Sequence, residues 1–267
     1  MLVCPPVDGG AAAQTPDLRD PAIRADAELA LANVGLSAVA TGVAALARGR
    51  SFWKAAARGG LGGLVSFGGK RMIASDPAAL GLVGRGVSAV GASITRNAIR
   101  GGGMVDTVVV PLGPLRLHLG ASGGWSTRVR VDLNSVAWGL YGLANDRYDL
   151  DLGLSLRTGA LVFYTPEDIH AEGNRGTAAR AGAGAVFLSE PYLDDAPHSI
   201  HHELTHVAEM DFLQIAFGRP IENALLRRLG ADDFSTWDVV EPGIGYYPFV
   251  LTLRPLLESE ATSLEHR

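Results

Sequence analysis

The apolar positions of this chain change their period twice. From Pro21 to Ala47 the pattern is helical: Asp17 or Asp20 is placed to cap free amides, Pro21 fits a first turn, and Asp26 and Glu28 suit the positive end of the helix dipole. A glycine-rich run follows (Gly59–Gly69), and Asp76–Arg100 predicts further helix, read as two short pieces, ended by three glycines at 101–103. The period then falls to 2. Val105–Val110 is β-branched; Leu115, Leu117 and Leu119 alternate with Arg116 and His118; Val129, Val131 and Leu133 alternate with Arg128, Arg130 and Asp132; Leu150 to Leu156 alternate with Asp149, Asp151 and Ser155. Turn-forming stretches at 121–125, 144–146 and 157–159 separate these segments, so an antiparallel meander of about six strands is expected from 105 to 165. Glu167–Gly182 is polar and reads as a loop, and Ala183–Ser189 as one more strand. From Ser199 to Phe217 no Pro or Gly interrupts a helical pattern, with Pro197 suited to its first turn.

One switch to strand and one switch back argue for an α+β fold rather than βαβ repeats. Three stretches are expected: 1–20, a disordered segment or the remnant of a signal peptide ending in Ala11-Ala12-Ala13; 21–103, glycine-rich and helical; and 104–267, a sheet followed by helices.

Composition narrows the function. At 47% hydrophobic and 19% charged, the 267 residues are not disordered. A net charge of −5 gives no sign of a nucleic-acid partner. The charge is unevenly spread: residues 1–100 hold 11 Lys and Arg against 6 Asp and Glu, the remainder 12 against 22. Leu29–Ala47 runs about 19 residues without a charge, near the minimum for a membrane span, and Arg48, Arg50, Lys54 and Arg58 follow where basic residues meet lipid phosphates. Three arrangements fit: a hairpin embedded in or lying on a membrane, a helical layer over the sheet, or a partner-binding arm. A single cysteine, Cys4, excludes an intrachain disulfide and a Cys-based zinc site.

The chemistry concentrates at His201–His206. His202-Glu203-Leu204-Thr205-His206 is an HExxH pattern: on a helix the two histidines share a face and can grip one metal ion, and Glu203 is placed as general base toward water on that metal. His201 points about 100° away; His198 shares the face of His202 from the first turn, as a rim residue. His118, on the polar side of its strand, reads as a surface residue. Tyr246 or Tyr247 could donate to an oxyanion, although packing is the commoner use of such tyrosines. A catalytic zinc takes a third protein ligand. The longer HExxHxxGxxH pattern is excluded, since Glu209 and Phe212 stand where it needs glycine and histidine. Glu222, Glu241, Glu258 and Glu260 remain.

HHELTHVA followed about fifty residues later by Glu258-Ser259-Glu260-Ala261 resembles the gluzincin class of zincin metallopeptidases. The resemblance implies zincin-like C-terminal helices, with Glu258 as third zinc ligand and Ala261 packed against the motif helix; the Asp that orients the first histidine in that class falls at Thr262. It implies zinc-dependent hydrolysis of a peptide or protein substrate, with Ala183–Ser189 a strand able to hold it. A broader similarity is to uncharacterised bacterial envelope proteins with a basic glycine-rich N-terminal segment and a late HExxH helix. The competing expectation is an envelope scaffold in which zinc only ties two helices together.

Overall fold

The computed structural model describes residues 21–120, 126–166, 179–189, 196–219, 228, 240–241, 243 and 247–265. Its fold is α+β. Three long helices come first: α1 (Pro21–Leu46), α2 (Phe52–Ser75) and α3 (Pro77–Arg100). Asp76 ends one helix and starts the next, its carboxylate accepting from Ala79 N at 2.9 Å. The segment expected as two short helices is therefore one continuous α3, closed by Gly101 in the left-handed region at φ 74°.

Glycine is poor in isolated helices, costing about 1 kcal/mol per residue, and here it serves close packing. A methyl group on Gly62 would stand 2.6 Å from the carbonyl oxygen of Gly91, and one on Gly84 2.6 Å from that of Gly69. This pairing makes α2 and α3 antiparallel and brings their backbones together, with the Ser66 and Ser88 hydroxyls hydrogen-bonded at 2.8 Å between them. α1 lies along an adjacent side of α2, where Asn33, Ser37 and Thr41 face Gly63 and Gly59, and Ser37 also hydrogen-bonds Thr95 of α3 at 3.3 Å.

The expected meander is half right. β1 (Thr107–Leu112), β2 (Leu115–Gly120) and β3 (Ser126–Asp132) form antiparallel neighbours, Val109 opposite His118 and Leu117 opposite Val129, and the two-residue strand β8 (Val240–Glu241) adds in parallel to β3. The chain then leaves the sheet. Asp132 accepts from the amides of Asn134 and Ser135 and starts α4 (Leu133–Ala144). The predicted strand at Leu150–Leu156 is a correction: only β4 (Asp149–Leu150) is extended, and α5 (Leu152–Thr158) follows. Asp151 caps α5 by accepting from Leu154 N at 2.8 Å, and Gly159 at φ 68° closes it. These two caps override the period-2 leucines, leaving Leu152 and Leu156 exposed.

A second sheet has the order β4, β5 (Leu161–Thr165), β7 (Ala185–Ser189), β6 (Ala179–Gly182), with β5 and β7 parallel and the other pairs antiparallel. Every residue of β7 is buried. On one face Val162, Val186 and Leu188 pack against Leu204, Val207 and Ala208 of α6 (Ala196–Leu213), with Ile73 of α2 closing the cluster. On the other, Phe163 and Phe187 stack at 5.1 Å beneath Trp138 and Tyr148. α6 runs into a π-helical turn, Gln214–Gly218. The last helix, α7 (Tyr247–Glu265), packs on α6.

α3 is locked to this half of the chain by charge. Arg85, 1% exposed, holds Asp211 of α6 at 2.7 Å and reaches the Thr158 carbonyl. Two helical stretches, Ile23–Leu46 and Pro77–Arg100, are long and apolar enough to cross a membrane, but 56% of the second is buried against 22% of the first.

Candidate metal centre

α6 forms because a charge-poor apolar face (Ile200, Leu204, Val207, Ala208) meets the second sheet and seats the helix. With that face fixed, His202 and His206, one turn apart, are turned toward α7. Their Nε2 atoms lie 3.1 Å apart with the rings edge to face. Glu258 of α7 brings Oε2 to 3.5 Å from His202 Nε2 and 3.4 Å from His206 Nε2. The three donors lie within 4.8 Å of one another and could hold a metal ion; among the described residues no fourth His, Cys, Asp or Glu joins them. The other Glu258 oxygen is 3.7 Å from Arg254. Glu203, adjacent to the first histidine, is 6% exposed.

The remaining candidates separate by environment. Glu260, two residues from Glu258 and so on another face of α7, is buried against Lys70 at 2.5 Å and accepts from Asn33 Nδ2 at 2.8 Å. Glu241 is not in a loop but in β8, buried among Arg130 at 3.2 Å, Arg116 at 3.7 Å and Arg219 at 4.0 Å. His118 is likewise not a surface residue: it is 8% exposed, with Nε2 3.1 Å from Glu241. Burial pushes its imidazole below the usual value despite that carboxylate. Tyr247 hydroxyl reaches Asn134 at 3.4 Å. His201 is not part of the three-donor group. Glu222, Tyr246 and the side chain of His198 lie outside the described residues.

Compared with protein-family models, with curated proteins and with solved structures, the chain matches none of them. The gluzincin resemblance therefore rests on the motif residues themselves.

Two expectations drawn from that resemblance need adjustment. Ala261 is fully buried, as expected, but Thr262 is exposed and orients nothing at the site. The orienting carboxylate is instead Glu209, one turn beyond the motif, whose Oε2 lies 2.9 Å from His206 Nδ1. That contact fixes the ring so that Nε2 faces Glu258. Burial pulls the His206 imidazole down, but Glu209, Glu203 and Glu258 outweigh it and the pKa is pushed up to about 9. Burial raises the Glu209 carboxyl to about 7 against the opposing pull of His206 and Lys70. Lys70 itself, in the glycine-rich α2, stands 4.0 Å from Glu209 and donates to Asn33 Oδ1 at 2.8 Å. A polar chain thus runs from His206 through Glu209 and Lys70 to Glu260 and Asn33, linking α6, α2, α7 and α1.

The second adjustment concerns substrate. Ala183–Ser189 cannot take an added strand, because β7 is central and both of its edges are hydrogen-bonded. Among the described residues the terminal strands of that sheet are β4 and β6, and β6 also packs on α6.

Proposed function

We propose that this chain is a zinc-dependent hydrolase of peptide bonds, held by α1 at a membrane surface in a bacterial envelope. The observation that carries the chemistry is the convergence of His202, His206 and Glu258 beside Glu203. Zinc bonds of 2.0–2.2 Å in tetrahedral geometry separate ligand atoms by about 3.3–3.6 Å. The observed separations of 3.1, 3.4 and 3.5 Å fit that requirement with little adjustment. Among the described residues three protein donors converge, the number that leaves a coordination position for water, whereas a purely structural site is usually closed by four. This favours the catalytic reading over the scaffold.

When bound there, zinc supplies Lewis acidity that lowers the pKa of a water from about 15.7 toward about 7. Glu203, beside the first histidine, would be the residue that takes up a proton from an attacking water and passes it to the leaving amine. Glu209 holds the ring of His206 in one orientation throughout. Among the described residues nothing pairs with the outer edge of β6, whose backbone groups could receive an extended peptide as a further strand.

The membrane part rests on α1. Leu36, Val39, Val43 and Leu46 recur on one face of the helix, and all are more than 40% exposed. Its opposite face is committed to α2 and to the Lys70 network. A helix with one packed and one open apolar face suits lying in the interface, packed side inward.

The decisive experiment is zinc analysis after metal-replete purification of wild type, His202→Ala, His206→Ala and Glu258→Ala, with peptide cleavage measured for Glu203→Gln. Expected are about one zinc in wild type, loss in all three ligand variants, and zinc retained without cleavage in Glu203→Gln. Full cleavage by Glu203→Gln would overturn the catalytic reading, and a zinc-free wild type would overturn the site.

A further inference from the structure

We propose that the turn between α1 and α2 is a binding site for the phosphate of an anionic phospholipid, formed by Arg50, Lys54 and Arg58; this rests on the membrane docking of α1 proposed above. A cavity of about 230 Å³ opens there, lined by these three side chains with Ser51, Ala98 and Gly101. A water's share of liquid volume is about 30 Å³, so the cavity takes a group several times larger.

The charge in it is unbalanced. Among the described residues no carboxylate lies within 4.0 Å of Arg48, Arg50, Lys54 or Arg58, although every buried cation discussed above has one. Asp106, in the loop after α3, instead accepts from Gly103 N at 2.6 Å. Arg58 donates to the Gly102 carbonyl at 2.7 Å, and Arg50 lies over Gly101, where any side chain would displace it. Both therefore meet the C-terminal end of α3. That end carries only about half a negative charge, and the N-terminal end of α2, capped by Ser51, brings about half a positive one. The dipoles cancel, leaving a surplus of full positive charges that an anion from outside the chain would balance.

The neighbourhood says which anion. The cavity adjoins the end of the exposed α1 stripe, where Val43 and Leu46 are 55% and 59% exposed, and Trp53 beside it is 80% exposed. Exposed apolar residues, a solvent-facing Trp and basic residues thus neighbour one another, the three kinds of side chain that meet acyl chains, interface and phosphates. A freely diffusing phosphate would have no use for the first two.

The test is binding of the full-length protein to vesicles of phosphatidylcholine with 30% phosphatidylglycerol and to vesicles of phosphatidylcholine alone. Basic residues near an anionic surface contribute about fivefold each, so Arg50→Gln/Lys54→Gln/Arg58→Gln should weaken binding to the anionic vesicles on the order of 100-fold. A control that removes the same charge elsewhere, Arg147→Gln/Arg157→Gln/Arg180→Gln, should change it less than fivefold. Inorganic phosphate should release wild type more effectively than chloride at equal ionic strength. Equal losses in the two triple variants would overturn the site in favour of diffuse attraction. Phosphate binding without vesicle binding would overturn the lipid assignment. Equal binding to both vesicles, unaffected by the first triple variant but abolished by Val39→Asp/Val43→Asp, would overturn the headgroup site while leaving the docking of α1 in place. No binding to either vesicle would remove the docking itself.

Discussion

Replacing Lys70 with Met keeps the length of the side chain and deletes one charge from the polar chain behind the metal centre. Lys70 is 4% exposed, pairs with Glu260 at 2.5 Å, stands 4.0 Å from Glu209 and donates to Asn33 at 2.8 Å. Without it two carboxylates, each no more than 6% exposed, lose the ammonium that faces them. Breaking a buried ion pair from one side costs about 3–5 kcal/mol, because the remaining charge stays desolvated. At about 2–4 °C per kcal/mol for a chain of this size, the thermal midpoint should fall by about 6–20 °C. Lys70→Met/Glu260→Gln removes the orphaned charge as well and should recover more than half of the loss. Since Glu260 anchors the helix that carries Glu258, zinc affinity in Lys70→Met should also fall about 10–100-fold. Differential scanning calorimetry of the metal-free protein and competition with a fluorescent chelator read the two effects. An unchanged midpoint in Lys70→Met, or a double variant less stable than the single one, would refute the account of Lys70 as the clamp between α2 and α7.

Other outcomes follow from the same geometry. Gly91→Ala, whose new methyl would be forced against the backbone of α2, should destabilise by more than 2 kcal/mol; Gly68→Ala, with nothing within 4 Å, should stabilise by up to about 1 kcal/mol, both read from unfolding in urea. Burial alone would raise the Glu241 carboxyl, but His118, Arg116 and Arg219 hold it far below the usual carboxylate range. Its stabilisation is therefore present above the unfolded-state value near 4.3 and is lost only as pH falls below that, through the depressed folded value. The gap in thermal midpoint between wild type and Glu241→Gln should accordingly stay constant from pH 5 to 8 and narrow below about pH 4. Saturating zinc at 100 times its Kd should add about 2.7 kcal/mol of stability, removed by a chelator, and add nothing to His206→Ala.

How far the sequence disclosed this can be seen element by element. α1 was legible from its long uncharged run and the motif helix from a stretch that no Pro or Gly interrupts. By contrast, α2 could be read only as part of a glycine-rich helical stretch and α3 was expected as two pieces, because glycine's role in close packing is not visible in the sequence alone. Glu203 and both histidines followed from spacing. Leu150–Leu156 misled because four alternating leucines outweighed, on paper, two single capping residues, Asp151 and Gly159, which decide the backbone locally. Lys70 could not be read at all: a lone lysine among glycines looks solvated, and its three partners lie 37 to 190 positions away. His118 and Glu241 fail for the same reason, since an alternating pattern places a residue on a face without saying that a later strand will cover it. Glu209 was the one legible residue passed over. An acid three positions after a motif histidine lies on the same side of the helix, and the spacing alone pointed to it.

The third donor comes from a helix distant in sequence. Glu258, on α7, follows His206 by 52 residues. On a ribosome adding 5–20 residues per second, the two histidines are complete about 3–10 seconds before the residue that joins them. During that interval the nascent chain carries both histidines of the candidate site but not the full three-donor group. Any activity that depends on all three donors, as in the hydrolase proposed above, would have to wait for α7, and a product truncated before α7 would lack it.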